Sequence, residues 1–259
     1  MPAPVLLFLG AGPNVGLAVM KKFRADGYKI AAVARSEKPE ITSAADKFIT
    51  ADLSADPANI TAIFKEVQDT LGRPNVVVYN GYGATFAPDG SEPFKGVSPQ
   101  ALEKNLKVNT VSAYAAAAAF ADLPATANPS DPNVFIYTGN MQGALLVDQT
   151  MTLGVGKNAT YYFIELAANT YGKATPAGSK GFWYVADERT EKGYSVMTQI
   201  DGEAHAEFYA ELARSKEQKA WNATFVKGKG YVDFETSRDR PLASVAGLMQ
   251  QIGAKWPPA

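Results

Sequence analysis

The glycines of Gly10-Ala-Gly-Pro-Asn-Val-Gly16 follow directly on an apolar run, residues 4–9, and stand just before a helical pattern. A bend of this composition holds a diphosphate. Glycine permits the tight turn and the close approach of phosphate to backbone, and the N-terminus of the next helix faces the anion. The spacing is common in itself; its placement between a strand and a helix makes it specific. Gly10, Gly12, Asn14, Val15 and Gly16 are therefore the candidate phosphate-binding residues. Asn14 also suits an ordinary turn, because it tolerates left-handed backbone better than most residues.

The end of the second apolar run bears on which dinucleotide fits. A chain that prefers NAD places Asp or Glu there to hold the ribose 2′-hydroxyl, whereas this one has Val33-Ala34-Arg35-Ser36. A guanidinium and a hydroxyl suit a 2′-phosphate, so Arg35 and Ser36 point to NADP. The competing reading makes Arg35 a solvated loop charge, and Glu37 beside it counts against the phosphate.

These residues need a sheet to position them. Short runs rich in β-branched residues, at 4–9, 29–34, 47–51, 75–79, 133–138 and 180–185, alternate with amphipathic segments at 14–26, 57–71, 99–121, 151–171 and 202–215. Strands too apolar to have a wet face, separated by helices, imply a parallel sheet covered on both sides. The expected fold class is α/β, a single-domain doubly wound parallel sheet, Rossmann-like, over residues 1–259. A substrate-side cap is expected near 187–235. Residues 81–99 read as a loop over the sheet, a lid or crevice wall. A last strand pair near 221–225 and 230–234 and a closing helix near 241–252 complete the pattern. The alanine-rich stretch 113–121 suits close helix packing or a subunit interface.

Composition excludes several alternatives. The 259 residues carry 25 Lys plus Arg against 26 Asp plus Glu, a formal net charge of −1, so no general attraction to nucleic acid or anionic membrane is expected. Zero Cys removes thiolate chemistry and Cys-ligated zinc, and the single His removes a multi-His metal site. The apolar opening lacks the basic start of a signal peptide. No stretch approaches the ~18 uninterrupted apolar residues that span a bilayer. A soluble, cytoplasmic protein is the expectation.

Together the motifs resemble the short-chain dehydrogenase/reductase family over residues 4–187. Ala51-Asp52-Leu53 resembles its adenine-contacting acidic site, Tyr79-Asn80-Gly81-Tyr82-Gly83 its Asn-Asn-Ala-Gly turn, and Val108-Asn109-Thr110 its helix Asn. The resemblance implies cofactor contacts for Asp52, Leu53, Asn80, Gly81 and Lys157, a small-molecule substrate, and a homo-oligomer built on the helices near 99–121 and 151–171.

The catalytic end departs from that pattern. The family places a Ser after the fifth strand, a Tyr thirteen positions on, and a Lys four beyond. Here Asn140 stands in the Ser slot and Leu153 in the Tyr slot, while Lys157 and Asn109 are kept. In the family the Tyr gives a proton to the carbonyl oxygen as hydride arrives, with its pKa lowered by the Lys. Leu cannot do this. A positioned acid is worth ~10²–10⁴ in rate, or about 3–5 kcal/mol of barrier, so ordinary ketone reduction should be severely weakened. Asn140 retains the ability to polarise a carbonyl by donating a hydrogen bond. The resemblance thus assigns Lys157, Asn109 and Asn140 to the catalytic group.

Four outcomes stay open. Another acid serves, with Tyr82, Asp148, Tyr161 and Asp187 as candidates; or the acceptor is an iminium or enone; or the pocket hosts non-redox chemistry; or the chain binds cofactor and is redox-silent. The favoured reading is NADP-dependent oxidoreduction of a small carbonyl, imine or enone. His205, on a helical segment, reads as a packing or surface residue, or as a substrate contact if that helix covers the cleft. Asp187-Glu-Arg-Thr190 stands where the family has a Pro-Gly turn beside the nicotinamide, and reads equally as a solvated turn. Lys227-Gly-Lys-Gly-Tyr231 lacks the full Walker pattern and reads as a turn between strands.

Overall fold

A computed structural model of the chain describes residues 2–88, 92, 94–124, 126, 133–144, 146–172 and 180–234. Eight strands form one sheet: β1 (Val5–Leu9), β2 (Lys29–Ala34), β3 (Lys47–Thr50), β4 (Pro74–Tyr79), β5 (Val134–Thr138), β6 (Phe182–Arg189), β7 (Asn222–Val226) and β8 (Gly230–Tyr231). Their order is β3-β2-β1-β4-β5-β6-β7-β8. All pair in parallel except β8, which closes the edge antiparallel to β7. This is a Rossmann-like α/β fold. The chain reverses direction across the sheet between β1 and β4, and ligands of such sheets lie at the carboxyl ends of the strands beside that reversal.

The helices are α1 (Val15–Ala25), a short α2 (Pro39–Thr42), α3 (Ala58–Thr70), α4 (Pro99–Leu106), α5 (Ser112–Ala121), α6 (Met151–Tyr171) and α7 (Gly202–Ala213). Every residue of β1 is buried because both faces are covered. Leu6 and Phe8 meet Val19, Met20 and Phe23 of α1, in a core that also takes Phe208 and Tyr209 of α7. Leu7 and Leu9 turn the other way, into a core with Ile60 and Phe64 of α3, Ala113 and Phe120 of α5, and Ile164 of α6. No described helix is long and apolar enough to cross a membrane.

Two elements differ from their sequence expectation. The helix expected over 99–121 is broken by a π turn, Lys107–Val111, between α4 and α5. The wider turn frees the Asn109 carbonyl, which accepts from the Tyr137 hydroxyl at 3.1 Å and the Thr160 hydroxyl at 2.6 Å. β6 begins two residues later than expected and runs four further, to Arg189. Asp187, Glu188 and Arg189 are thus buried strand residues, and the reading of 187–190 as a solvated turn does not hold. The closing helix expected near 241–252 lies outside the described residues.

Candidate active site

At the glycine bend three positions do three jobs. Gly10 has φ +89°, and a Cβ there would stand 2.6 Å from the Gly81 nitrogen, so only glycine lets the bend pack on the turn after β4. At Gly16 a Cβ would stand 3.0 Å from the Ala11 Cα and 3.4 Å from the Phe8 ring, which holds α1 tight against β1. Gly12 is the contrast. A Cβ there would meet nothing within 4 Å, and this open space lies where a diphosphate would approach the backbone. No acidic residue occupies the first turn of α1, and Asn14 does not cap it. Its amide donates instead to the Ile200 carbonyl at 2.9 Å, and with the Leu17 N–H donating to the Gly12 carbonyl at 2.9 Å, the Val15 and Gly16 N–H groups are left to an anion. The bend therefore fits a dinucleotide diphosphate, with Val15 as first residue of the receiving helix.

Next to the bend lie the other sequence candidates. Arg35 and Ser36, both exposed, follow the carboxyl end of β2, and the Arg35 guanidinium has no hydrogen bond or ion pair among the described residues. Asp52 accepts from the Ser54 N–H and hydroxyl, each at 2.8 Å. Those two bonds hold its carboxyl below the ordinary range, with help from the charges of Arg35 and Lys104. Leu53 packs its Cδ1 where a Gly81 side chain would stand. Asn80 ties β4 to the bend, its N–H donating to the Leu9 carbonyl at 2.8 Å and its amide to the Gly10 carbonyl at 3.0 Å.

Asn109 is fully buried and grips Gly83 from both sides. Asn140 follows β5, where its Oδ1 caps the next turn by accepting from the Gln142 N–H at 3.1 Å. The Tyr161 hydroxyl clamps the backbone of Asn140, accepting from its N–H at 2.8 Å and donating to its carbonyl at 2.9 Å. The Asn140 Nδ2 makes no hydrogen bond among the described residues and remains available as a donor. Leu153 and Lys157 lie one turn apart on α6. The Lys157 ammonium turns inward, donating to the Thr138 carbonyl at 2.7 Å and standing 4.5 Å from the Tyr137 ring centroid. Burial pulls its pKa down to about 7, against the opposing pull of the Asp187 charge.

Sequence reasoning named Asp187 only as a possible acid and missed its partner. Asp187 and Arg189 project from β6 on the same side as Trp183 and Val185, toward α6, because strand side chains alternate. The Arg189 Nε donates to the Asp187 carboxylate at 2.6 Å and its Nη1 to the Gly193 carbonyl at 3.2 Å. Burial raises the Asp187 carboxyl to about 6 even so, with Arg189 and Lys157 pulling it back. Glu188 projects to the opposite side, where its carboxylate accepts from the Asp201 N–H at 2.9 Å and lies 3.5 Å from His205. The buried His205 holds its Nδ1 2.7 Å from the Asp201 carbonyl, and burial lowers its pKa. Its ring stacks edge-on against Tyr209 and Phe225.

Of the other proposed acids, Tyr161 spends its proton on Asn140, and burial raises its pKa far above the ordinary value. Tyr82 is exposed on the turn after β4. The side chain of Asp148 lies outside the described residues. Among the described residues no cluster of three His, Asp or Glu side chains could hold a metal ion.

The bend, the strand reversal and the row of residues at the sheet's carboxyl edge define a dinucleotide-binding Rossmann protein. A family model for short chain dehydrogenase matches residues 4–131. The short chain dehydrogenase/reductase dmxR12 of Cryptosporiopsis sp. (strain 8999) is 39% identical over 257 residues, covering 94% of this chain and all of that one. The chain belongs to the short-chain dehydrogenase/reductase family and is an oxidoreductase of that type. Solved structures share the fold at low identity. The NADPH-dependent 3-quinuclidinone reductase from Rhodotorula rubra has a TM-score of 0.70 at 15% identity, over 89% of this chain and 92% of that one. A metagenomic short-chain oxidoreductase in complex with NADP has a TM-score of 0.68 at 18% identity, over 87% and 98%.

Proposed function

We propose that the protein is an NADP-dependent oxidoreductase acting on a small organic carbonyl, imine or enone with a non-standard catalytic group. The observation that carries this is the glycine bend: an open approach at Gly12 to an α1 N-terminus that no side chain caps. NADPH is preferred because Arg35 and Ser36 stand exposed beyond β2, where an adenosine ribose 2′-phosphate would lie. The cofactor, when bound, supplies hydride. The chain's own part is to hold it through Gly10, Gly12, Gly16, Asp52, Leu53, Asn80 and Gly81, and to polarise the acceptor through the Asn140 Nδ2, whose Oδ1 is already taken by the Gln142 N–H.

Asn140 and Leu153 take the places of the family's Ser and Tyr in this reading, so no phenol delivers a proton. An electron-poor acceptor such as an iminium tolerates that loss best. A second reading, a cofactor-binding but redox-silent protein, is favoured by the inward turn of Lys157 onto Thr138. Exposed Tyr114 on α5 and Val155, Tyr162 and Leu166 on α6 give a homo-oligomer an apolar face. Neither nucleic acid nor membrane is a partner in this reading, and the setting is cytoplasmic.

Calorimetry tests the cofactor assignment. NADPH should bind roughly tenfold or more tightly than NADH, and Arg35→Ala should abolish the difference. Equal affinities in the unaltered chain would sink the NADP assignment. Oxidation of NADPH by at least one member of a carbonyl, imine and enone panel is expected; tight binding with no oxidation would select the silent reading.

A further inference from the structure

One peptide unit joins the end of β6 to the glycine bend. The Ile200 carbonyl accepts from the Asn14 amide at 2.9 Å, and the N–H of the same peptide, carried by Asp201, donates to the Glu188 carboxylate at 2.9 Å. A trans peptide is planar and its two polar groups point opposite ways, so fixing one fixes the other. Resting on the cofactor reading, we propose that Glu188 is a positioning residue for the dinucleotide: through this peptide it keeps the Asn14 side chain off the first turn of α1, so that the diphosphate finds the Gly16 N–H free.

Asn14 is the residue that stands at the N-cap of α1. Asn is among the best caps, its side-chain oxygen accepting from the N–H two or three positions on. Here that donor is Gly16, because the Leu17 N–H already donates to the Gly12 carbonyl at 2.9 Å. A capping Asn14 and a bound diphosphate therefore compete for one N–H group. In the structure the cap is not made, and the side chain is turned away onto Ile200. Gly202 makes room for that turn. A Cβ there would stand 2.6 Å from the Asn14 Oδ1 and 2.9 Å from its carbonyl oxygen, so α7 begins with the one residue that lets Asn14 lie across it.

The other holds on Asp201 act elsewhere. Its carboxylate accepts from the Ala204 N–H at 2.9 Å and pairs with Lys227, and its carbonyl meets the His205 Nδ1 at 2.7 Å. These contacts fix the start of α7 but take neither group of the peptide that meets Asn14. Among the described residues only Glu188 takes its N–H. Glu188 is 4% exposed and lies in register with Phe225 of β7, so the anchor is set in the sheet rather than in the loop it holds.

The test reads Gly16 directly. Glu188→Met keeps length and bulk but offers no acceptor to the Asp201 N–H, whereas Glu188→Gln keeps one. Solvent exchange of the Gly16 amide, followed by NMR on the full chain without cofactor, should slow about fivefold in Glu188→Met, the equivalent of the ~1 kcal/mol that an Asn cap contributes. It should stay at the parent rate in Glu188→Gln. NADPH affinity by calorimetry should fall by about the same factor in the Met variant and return in the Gln variant. In an Asn14→Ala background, Glu188→Met should cost no affinity relative to Asn14→Ala alone. If Glu188→Met does not fold, Gly202→Ala reaches Asn14 from the α7 side and should protect Gly16 in the same way. An unchanged Gly16 exchange rate in Glu188→Met or, failing that variant, in Gly202→Ala overturns the proposal. So does a loss of NADPH affinity that is the same with and without Asn14. If the parent chain binds no NADPH while Gly16 exchange responds as stated, the cofactor reading falls and the hold of Glu188 on Asn14 stands.

Discussion

Asn109 and Gly83 are joined twice: the Gly83 N–H donates to the Asn109 Oδ1 at 2.9 Å, and the Asn109 Nδ2 donates to the Gly83 carbonyl at 2.6 Å. Because the same residue's carbonyl receives Tyr137 and Thr160, a single π turn links β5, α6 and the loop after β4. Asn109→Leu keeps the bulk but leaves both Gly83 groups without partners. Each unsatisfied buried group costs ~1–3 kcal/mol, so urea unfolding without cofactor should show a loss of at least about that size. An unfolding midpoint within error of the parent would remove Asn109 from the structural account.

Gly12 and Gly10 should separate binding from stability. At Gly12 a methyl group meets no protein atom, so Gly12→Ala should leave the fold intact or stabilise it by ~0.4–1 kcal/mol. The same methyl occupies the diphosphate's approach, and NADPH affinity should fall by roughly tenfold or more. Gly10→Ala should do the reverse of the first effect, losing stability, because its φ of +89° and the nearby Gly81 backbone leave no room. Thermal melting and calorimetry on both variants decide it; undiminished NADPH binding by Gly12→Ala would place the phosphates elsewhere.

How much of this was legible in the sequence follows from how local its causes are. The glycine bend and the apolar strands depend on neighbouring residues, so Gly10, Gly12 and Gly16 could be read in order. The break between α4 and α5 could not, because its cause is the pair Tyr137 and Thr160, distant in sequence from Asn109. The end of β6 was misread for a related reason. Three consecutive charged residues look like a turn until Lys157 of α6 and His205 of α7 are brought against its two faces. For Asn140, the sequence suggested a polarising amide, but nothing in it indicated that Tyr161 would hold the backbone.

The Asp187–Arg189 pair should be costly to break and cheap to remove. Arg189→Met strands a carboxylate that is 3% exposed, and breaking a buried pair from one side costs ~3–5 kcal/mol. Replacing both, as Asp187→Leu with Arg189→Met, should recover most of that loss, since neither charge is then left in a dry site. Unfolding free energies of the two single variants and the double variant form the cycle. Additive losses would mean that the two side chains act independently, in conflict with their 2.6 Å hydrogen bond.

The Lys157 amine gives stability a pH dependence of definite sign. Its folded pKa is depressed from 10.5 to about 7, so its stabilising contribution is fully present above the unfolded value and is lost as pH falls through about 7. Asp187 works the other way: raised from 3.8 to about 6, it contributes below 3.8 and loses that contribution as pH rises through about 6. Between pH 7 and 10 the chain should therefore gain more stability with rising pH than Lys157→Met does, by up to ~1.4 kcal/mol per pH unit from this one proton. Removing the anion that supports the ammonium, by Asp187→Asn, should depress Lys157 further, and NMR titration of its ε-carbon would record the direction. Urea midpoints that rise in parallel for the parent and Lys157→Met over that range would show that the amine is charged in the fold, and the inward, desolvated placement of Lys157 would then have to be given up.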